Sequence, residues 1–151
     1  MQESSPDRKG FARNGIRRLH SAESDKLGRV LDSLVNSCAV RSAFLVGMSG
    51  QEMVSRGAVD PLEREAVCSL AAGTMAATRS LAGLFGEETF EGVYHKGKVS
   101  SVLILPVGDE AILLLVLENS SRRDRRHSAE ILQATRVLRD LLAMGTVSRE
   151  D

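Results

Sequence analysis

The spacing of apolar residues predicts a helix at each end of the folded region. From about Asp25 to Ser37, apolar side chains recur at steps of three and four and form one stripe, and Ser24 or Asp25 can cap the first turn. The same spacing predicts a final helix whose stripe starts at Ile131 and ends near Met144. Each of these helices therefore has one face to bury and one face for solvent.

The middle of the chain predicts a longer helix with clear boundaries. Residues 60–63 (Asp-Pro-Leu-Glu) combine an N-capping acid, a proline at the first helical position and a glutamate three residues after the cap. We expect the helix to run to about Phe85 and stop at Gly86, since glycine accepts the left-handed conformation that ends many helices. A large apolar side is expected to lie on a sheet, and it comprises Val67, Leu70, Ala71, Thr74, Leu81 and Phe85. Another side carries only small residues, namely Ala66, Ser69, Gly73, Ala76 or Ala77, Ser80 and Gly83.

Five short runs alternate or concentrate apolar residues as strands do, at residues 42–47, 51–56, 89–95, 99–106 and 111–118. The turns within each group are short, so neighbouring strands should be antiparallel. The last two strands are almost entirely apolar, which predicts that both of their faces are covered. The order α-β-β-α-β-β-β-α predicts one α+β domain with a five-stranded antiparallel sheet and helices on both faces. We expect a flexible basic tail at 1–23, the domain at 24–145 and a short polar tail at 146–151.

Composition narrows the class of function. Twenty Lys and Arg balance twenty Asp and Glu, so no general attraction to nucleic acid is expected. Only 3% of the residues are aromatic and none is Trp, which disfavours a base-stacking surface. No apolar run approaches the roughly 20 residues of a membrane span, and the polar N-terminal segment has no apolar signal core. Cys38 and Cys68 lie in apolar helical patterns and are predicted to be small buried side chains of a cytoplasmic protein.

Motifs for catalysis are not found in the sequence. It has no glycine-rich phosphate loop, and its three histidines are scattered without ligand spacing. Ser49 and Ser101 have no histidine and acid in a recognisable nucleophile arrangement. Glu87 and Glu88 follow a helix end, where a solvated turn is the simpler interpretation. We therefore predict a protein that is not an enzyme in its own right and binds no cofactor and no metal.

The composition of the second helix predicts that this helix contacts another protein chain. Between Val67 and Phe85 its only charged residue is Arg79, although a helix that is buried on one side normally carries charges on the other. Small side chains let another backbone approach closely, and the commonest closed assembly is a two-fold dimer. The third strand has the mixed polarity of an edge strand, and an edge can pair with its own copy. The predicted dimer interface comprises Ala66, Ser69, Gly73, Phe90, Val93, Tyr94 and His95.

Several segments resemble the Roadblock (dynein light-chain roadblock) domain family. The helix text at 69–77 (Ser-Leu-Ala-Ala-Gly-Thr-Met-Ala-Ala) and at 81–84 (Leu-Ala-Gly-Leu) is similar to that family. The run 90–97 (Phe-Glu-Gly-Val-Tyr-His-Lys-Gly) and the strand end at 117–119 resemble its bacterial MglB-like members. The resemblance covers about residues 26–144 and also fits the order of the elements.

The resemblance implies a dimer that regulates a GTPase. In MglB-like members the second helices pack together and the third strands join two sheets. Such members bind a small Ras-like (MglA-type) GTPase and stimulate GTP hydrolysis by moving the switch loops and catalytic residues of the GTPase itself into place, without inserting an arginine. Carried over to this chain, the GTPase contact comprises Ala72, Gly73, Ala76, Ala77, Arg79, Ser80 and Gly83.

Two features depart from the family pattern. Arg79 stands where MglB-like proteins tend to have a small residue, and the first hairpin turn at 47–50 is neutral where many members carry an acid. The Arg-rich segment 122–126 is either a solvated loop or a contact for an acidic partner.

The alternative function is a Roadblock adaptor that binds a GTPase or a paralogous Roadblock protein without changing hydrolysis. A small-ligand sensor of PAS-like topology is disfavoured, because the dense aliphatic strands leave few polar groups for a pocket.

Overall fold

The computed structural model describes residues 21–37, 40–119 and 129–147, and within them three helices and five strands follow the predicted order. The elements are α1 (Ser21–Ser37), β1 (Val40–Gly47), β2 (Glu52–Gly57), α2 (Pro61–Leu84), β3 (Val93–Lys96), β4 (Ser100–Val107), β5 (Ala111–Glu118) and α3 (Ala129–Val147). The predicted α+β class is confirmed. Residues 1–20, Cys38 and the basic segment 122–126 lie outside the described residues.

The five strands form one sheet in the order β2-β1-β5-β4-β3, and every neighbouring pair is antiparallel. Strands β2 and β3 are therefore the two edges. The β1–β2 turn contains Gly50 at a φ of 91°, a left-handed conformation that glycine adopts without the clash that a Cβ would cause. This turn forms the hairpin that the glycines at 47 and 50 predicted.

Helices cover both faces of the central strands. Side chains alternate along β1, so Leu45 faces α1 and α3 while Phe44 faces α2. Buried leucines such as Leu31 of α1 and Leu138 of α3 fill the first layer. On β5 the alternation continues through Leu113 and its neighbours, which explains why that strand is apolar on both sides.

Helix α1 begins at Ser21, so the prediction that Ser24 or Asp25 caps it is wrong. Residues 21–23 are helical although they were expected to belong to the tail. These three residues show no apolar periodicity, because the first turn buries little side-chain surface. Glu23 lies in that turn, where a negative charge is favourable near the exposed N–H groups of a helix.

Strand β3 is shorter than predicted. It begins at Val93 rather than at Thr89, so Phe90 lies before the strand. Gly92 passes so close to β4 that a Cβ there would lie 2.6 Å from the side chain of Leu105. The chain thus lies close against β4 at this glycine, and strand pairing begins at the next residue, with Val93 opposite Ile104.

Candidate interaction surface on helix α2

Local capping signals set the limits of α2. The carboxylate of Asp60 accepts a hydrogen bond from the N–H of Leu62 at 2.9 Å, and Pro61 is the first helical residue. At the other end Phe85 is the C-cap and Gly86 has a φ of 76°. Both predicted boundaries are confirmed, because each depends on a few adjacent residues.

Small side chains and one methionine form the side of α2 that faces the sheet. Cys68, Ala71 and Met75 are buried there, and Ala82 is also buried further along the helix. Cys68, Ala71 and Met75 pack on bulky residues supplied by the strands, which are Phe44, Val46, Ile104, Ile112 and Leu114. Because the strands already fill this layer with large side chains, the helix can approach closely only with small ones, and the flexible Met75 fits among them.

The prediction that the large apolar side of α2 lies on the sheet is therefore wrong for its bulkiest members. Leu70, Leu81 and Phe85 are 71%, 50% and 72% exposed. Only Ala71 of that set is buried, while Val67 and Thr74 are half-buried. Packing volume, rather than total hydrophobicity, decides which side of α2 faces the sheet. The apolar residues counted in the sequence therefore predicted a contact side that lies about a quarter of a turn around the helix from the observed one.

The thiol of Cys68 is inert in this position. Its pKa is raised from 9.0 to about 11, mainly by burial and also by the negative charge of Glu52, while the positive charge of Arg64 acts in the opposite direction. Because the thiolate is the reactive form, this side chain serves as a small buried hydrophobe. The prediction made for Cys68 is confirmed.

We expect Cys68 to resist alkylation in the folded protein. In a Cys38→Ser variant at pH 8, the reaction with iodoacetamide should be at least about a hundredfold slower than in the urea-unfolded chain, from the pKa difference alone. Since the folded pKa is raised, the neutral thiol stabilises the fold below pH 9 and this contribution is lost as the pH rises toward about 11. Equal rates in folded and unfolded protein would show that the thiol is accessible.

The small residues of α2 form its outward face. All seven are exposed, and we call them the small-residue face: Ala66, Ser69, Gly73, Ala76, Ala77, Ser80 and Gly83. A Cβ added to Gly73 or to Gly83 would meet nothing within 4 Å. The backbone of α2 is therefore accessible along this face, whose seven residues carry no charge.

One flank of α2 lies against the β1–β2 turn. A Cβ on Gly50 would lie 3.3 Å from the Cα of Ser69 and 3.7 Å from the Cβ of Ala72. Ala72 and Arg79, at helical spacing on this flank, are both half-buried. The structure thus places two of the predicted GTPase-contact residues at the border of the small-residue face rather than within it.

The opposite flank is apolar and uncovered. It comprises Val67, Leu70, Thr74, Leu81 and Phe85, and we call it the open flank. Beside its first turns lies a cavity of about 460 Å³, lined by Arg41, Ser42, Phe44, Ala58, Val59, Asp60, Glu63, Val67 and Val116. Val93, Val102 and Val116 on the same sheet face are also only half-buried. The uncovered surface therefore continues from α2 across the sheet toward edge strand β3.

Among the described strands, edge strand β3 pairs only with β4. Val93 packs toward the α2 layer and Tyr94 toward the opposite layer, while His95 is exposed. Phe90 is half-buried just before the strand. The predicted dimer residues of this segment thus lie at or next to an edge whose other side is not paired with any of the described strands.

The two serines considered above as nucleophiles hydrogen-bond to neighbouring side chains. The hydroxyl of Ser101 donates to the carboxamide of Asn119 at 2.6 Å, and the hydroxyl of Ser49 donates to the side chain of Gln51. Within the described residues there is no group of three or more His, Cys, Asp or Glu that could hold a metal ion. Nor does any helix in these ranges combine the length and the hydropathy of a membrane span.

The fold and this surface define a class of protein. The family model of the Roadblock/LC7 domain matches residues 26–117, which is more than half of the chain. The chain belongs to the Roadblock/LC7 domain family. A search of curated proteins found no significant match.

Among solved structures the chain is similar to MglB proteins. MglB of Myxococcus xanthus is 26% identical with a TM-score of 0.78, over 85% of this chain and 96% of that one. The gliding protein MglB of Thermus thermophilus is 25% identical with a TM-score of 0.74, over 82% and 93%. MglC of Myxococcus xanthus shares the fold, with 15% identity and a TM-score of 0.51, over 78% and 98%.

Proposed function

We propose that this protein is a dimeric regulator that binds a small Ras-like GTPase of the MglA type and accelerates its GTP hydrolysis. The observation that carries the proposal is the small-residue face, an uncharged and accessible helix surface on a fold similar to MglB. The regulator supplies no catalytic residue of its own in this mechanism. It acts by holding the switch loops and catalytic residues of the GTPase in their hydrolysis-competent positions.

The open flank is the part of α2 that we assign to the dimer. Two copies joined through antiparallel β3 edges have their α2 helices on the same face of one continuous sheet, related by the two-fold axis. The open flank points toward β3, so the second helix would cover Leu70, Leu81 and Phe85. Val93, Tyr94 and His95 then lie at the joined edges, with Phe90 beside them.

Of the remaining predicted interface residues, Ala66 and Gly73 lie where the small-residue face meets the open flank, and Ser69 lies on the far side of that face. We propose that these small residues permit the two helices and the GTPase to meet closely. A bulky side chain at the border would hold the surfaces apart.

The rest of the small-residue face is left for the GTPase. Ala76, Ala77, Ser80 and Gly83 expose little side chain, so a switch loop can approach the helix backbone without displacing anything. Acceleration requires that the regulator bind the competent arrangement of the GTPase more tightly than the others. Each tenfold increase in the population of that arrangement corresponds to about 1.4 kcal/mol of differential binding.

The direct test is single-turnover GTP hydrolysis. A purified MglA-type GTPase is loaded with GTP, and the rate is measured with and without an excess of this protein. We expect at least a tenfold acceleration at saturation, corresponding to about 1.4 kcal/mol. If there were neither acceleration nor a complex, the proposal would be rejected.

Arg79 favours a second candidate function, an adaptor that binds the GTPase or a paralogous Roadblock protein without altering hydrolysis. This half-buried cation borders the small-residue face, where it can block the closest approach of a switch loop. A stable complex with an unchanged hydrolysis rate would identify the adaptor. An Arg79→Ala variant that then accelerated hydrolysis would show that the arginine is the cause.

A further inference from the structure

The cavity beside the first turns of α2 is lined by both apolar and polar groups. Its volume of about 460 Å³ lies within the usual range of small-molecule sites in proteins. Phe44, Val67 and Val116 give it an apolar floor. The lining residues come from β1, β5, α2 and the loop before α2, so the cavity lies on the side of the sheet away from edge strand β3.

A bulge at the start of β1 brings two adjacent residues to this cavity. The pairing register with β5 shifts between Val40 and Ser42, so Arg41 is an extra residue on β1. In a regular strand Arg41 and Ser42 would face opposite sides of the sheet, whereas here both line the cavity. The carbonyl of Arg41 also accepts a hydrogen bond from the N–H of Ala58 at 3.2 Å, which holds the loop before α2 next to the bulge.

Ser42 brings a buried hydroxyl to the cavity wall. Its residue is only 3% exposed, and within the described part of the chain its Oγ makes no hydrogen bond. Burying a hydroxyl without a partner is unfavourable, so native structures rarely do it without a functional reason. A bound molecule with a polar group near Ser42 would supply the missing partner.

Opposite charges stand at the rim of the cavity. Arg41 is exposed on β1, and Glu63 is exposed on the first turn of α2. Neither forms an ion pair with any described residue. Asp60 uses one carboxylate oxygen to accept the N–H of Leu62 and adds a second negative charge to the rim. The cavity therefore presents a cation on the strand side and two anions on the helix side.

We propose that this cavity binds a zwitterion with an aliphatic side chain, either a free α-amino acid or a dipeptide. Arg41 pairs with the carboxylate of the ligand, to which the hydroxyl of Ser42 also donates. Glu63 and Asp60 hold the ammonium group, and the apolar floor takes the side chain. This binding site goes beyond the proposed function and requires no GTPase.

Other classes of small ligand fit the cavity less well. An anion such as phosphate would meet two carboxylates against one guanidinium, which is a net repulsion. A metal ion would find no group of three ligating side chains among the described residues. A purely apolar molecule would bury the hydroxyl of Ser42 and the rim charges without offering them a partner.

Isothermal titration of the whole 151-residue chain with L-leucine tests the proposal. We expect saturable binding with a Kd of about 1 mM or below, as for a small ligand with two ionic contacts. Leucinamide lacks the carboxylate and 4-methylpentanoate lacks the ammonium, so each should bind at least about tenfold more weakly. Free glycine keeps both charges but has no aliphatic side chain, and it should lose at least about tenfold as well. Leucyl-leucine distinguishes the two sources, because tighter binding than that of leucine would identify a dipeptide.

Substitutions at the rim assign each charged group of the ligand. Arg41→Gln should weaken leucine binding about tenfold and leave leucinamide binding unchanged, since leucinamide has no carboxylate to pair. Glu63→Gln should weaken leucine binding but not the binding of 4-methylpentanoate, and Ser42→Ala should weaken leucine binding about threefold or more. Arg29→Gln and Glu130→Gln, at exposed positions of α1 and α3 across the sheet, are the matched controls and should bind leucine as wild type does.

Two results would overturn the inference. One is the absence of saturable binding by leucine and by leucyl-leucine up to about 20 mM. The other is equal binding of leucine, leucinamide and 4-methylpentanoate, which would show that the cavity accepts apolar groups without recognising the charges. Both results are obtained without a GTPase, so neither bears on the proposed function.

Discussion

Ala76→Arg is expected to abolish GTPase binding while the fold and the dimer persist. Ala76 is exposed on the small-residue face and points away from the sheet, so a long side chain there displaces nothing within its own chain. In the proposed complex the same arginine would stand between the helix and the GTPase and prevent close contact. The Kd for the GTPase loaded with a non-hydrolysable GTP analogue should rise at least about a hundredfold, from loss of packing at the centre of a contact.

Isothermal titration calorimetry measures this effect. Ala76→Ser is the matched control, because it keeps the side chain small and should bind nearly as well as wild type. Gln133→Arg, at an exposed position of α3, controls for the added positive charge and should also bind normally. If Ala76→Arg bound with wild-type affinity, the GTPase contact would lie elsewhere.

Leu81→Asp is expected to convert the dimer to a folded monomer. Leu81 is 50% exposed on the open flank, and an aspartate in that position would be desolvated in the interface without a partner. Because the two copies are related by a two-fold axis, the substitution occurs twice in the interface. A loss of about 1.5 kcal/mol per copy amounts to about 3 kcal/mol, which raises the dimer Kd by roughly two orders of magnitude.

Leu132→Asp is the matched control for this change. Leu132 is 48% exposed on α3, which packs on the opposite sheet face, so its substitution should leave the dimer unchanged. Sedimentation velocity compares the two variants at equal concentration. A dimeric Leu81→Asp protein would contradict the assignment of the open flank and direct attention to the small-residue face instead.

The ends of α2 could be predicted because they depend on neighbouring residues. A capping acid followed by proline starts a helix almost regardless of the rest of the fold, and Gly86 ends it at a conformation that few other residues adopt. The family resemblance was equally readable, since the helix text at 69–77 is a continuous segment. The small-residue face was predicted as a set because helical periodicity alone groups its members.

The start of β3, and with it the position of Phe90 before the strand, could not be predicted in the same way. The segment 89–92 has the mixed polarity of an edge strand, yet it is displaced from the sheet where Gly92 crosses close to β4. That crossing depends on the position of Leu105, which is far from Gly92 in the sequence and near it in space.

The amino-acid order by itself determined the elements of this protein, their antiparallel connections and the set of small residues along one side of α2. Only the tertiary structure decided how α2 is rotated on the sheet. Phe44, Ile112 and Leu114 fill the layer beneath the helix, so Ala71 and Met75 fit there and Leu81 does not. Side chains from the strands and from the helix fill this layer together, so its packing cannot be predicted from any one segment of the sequence.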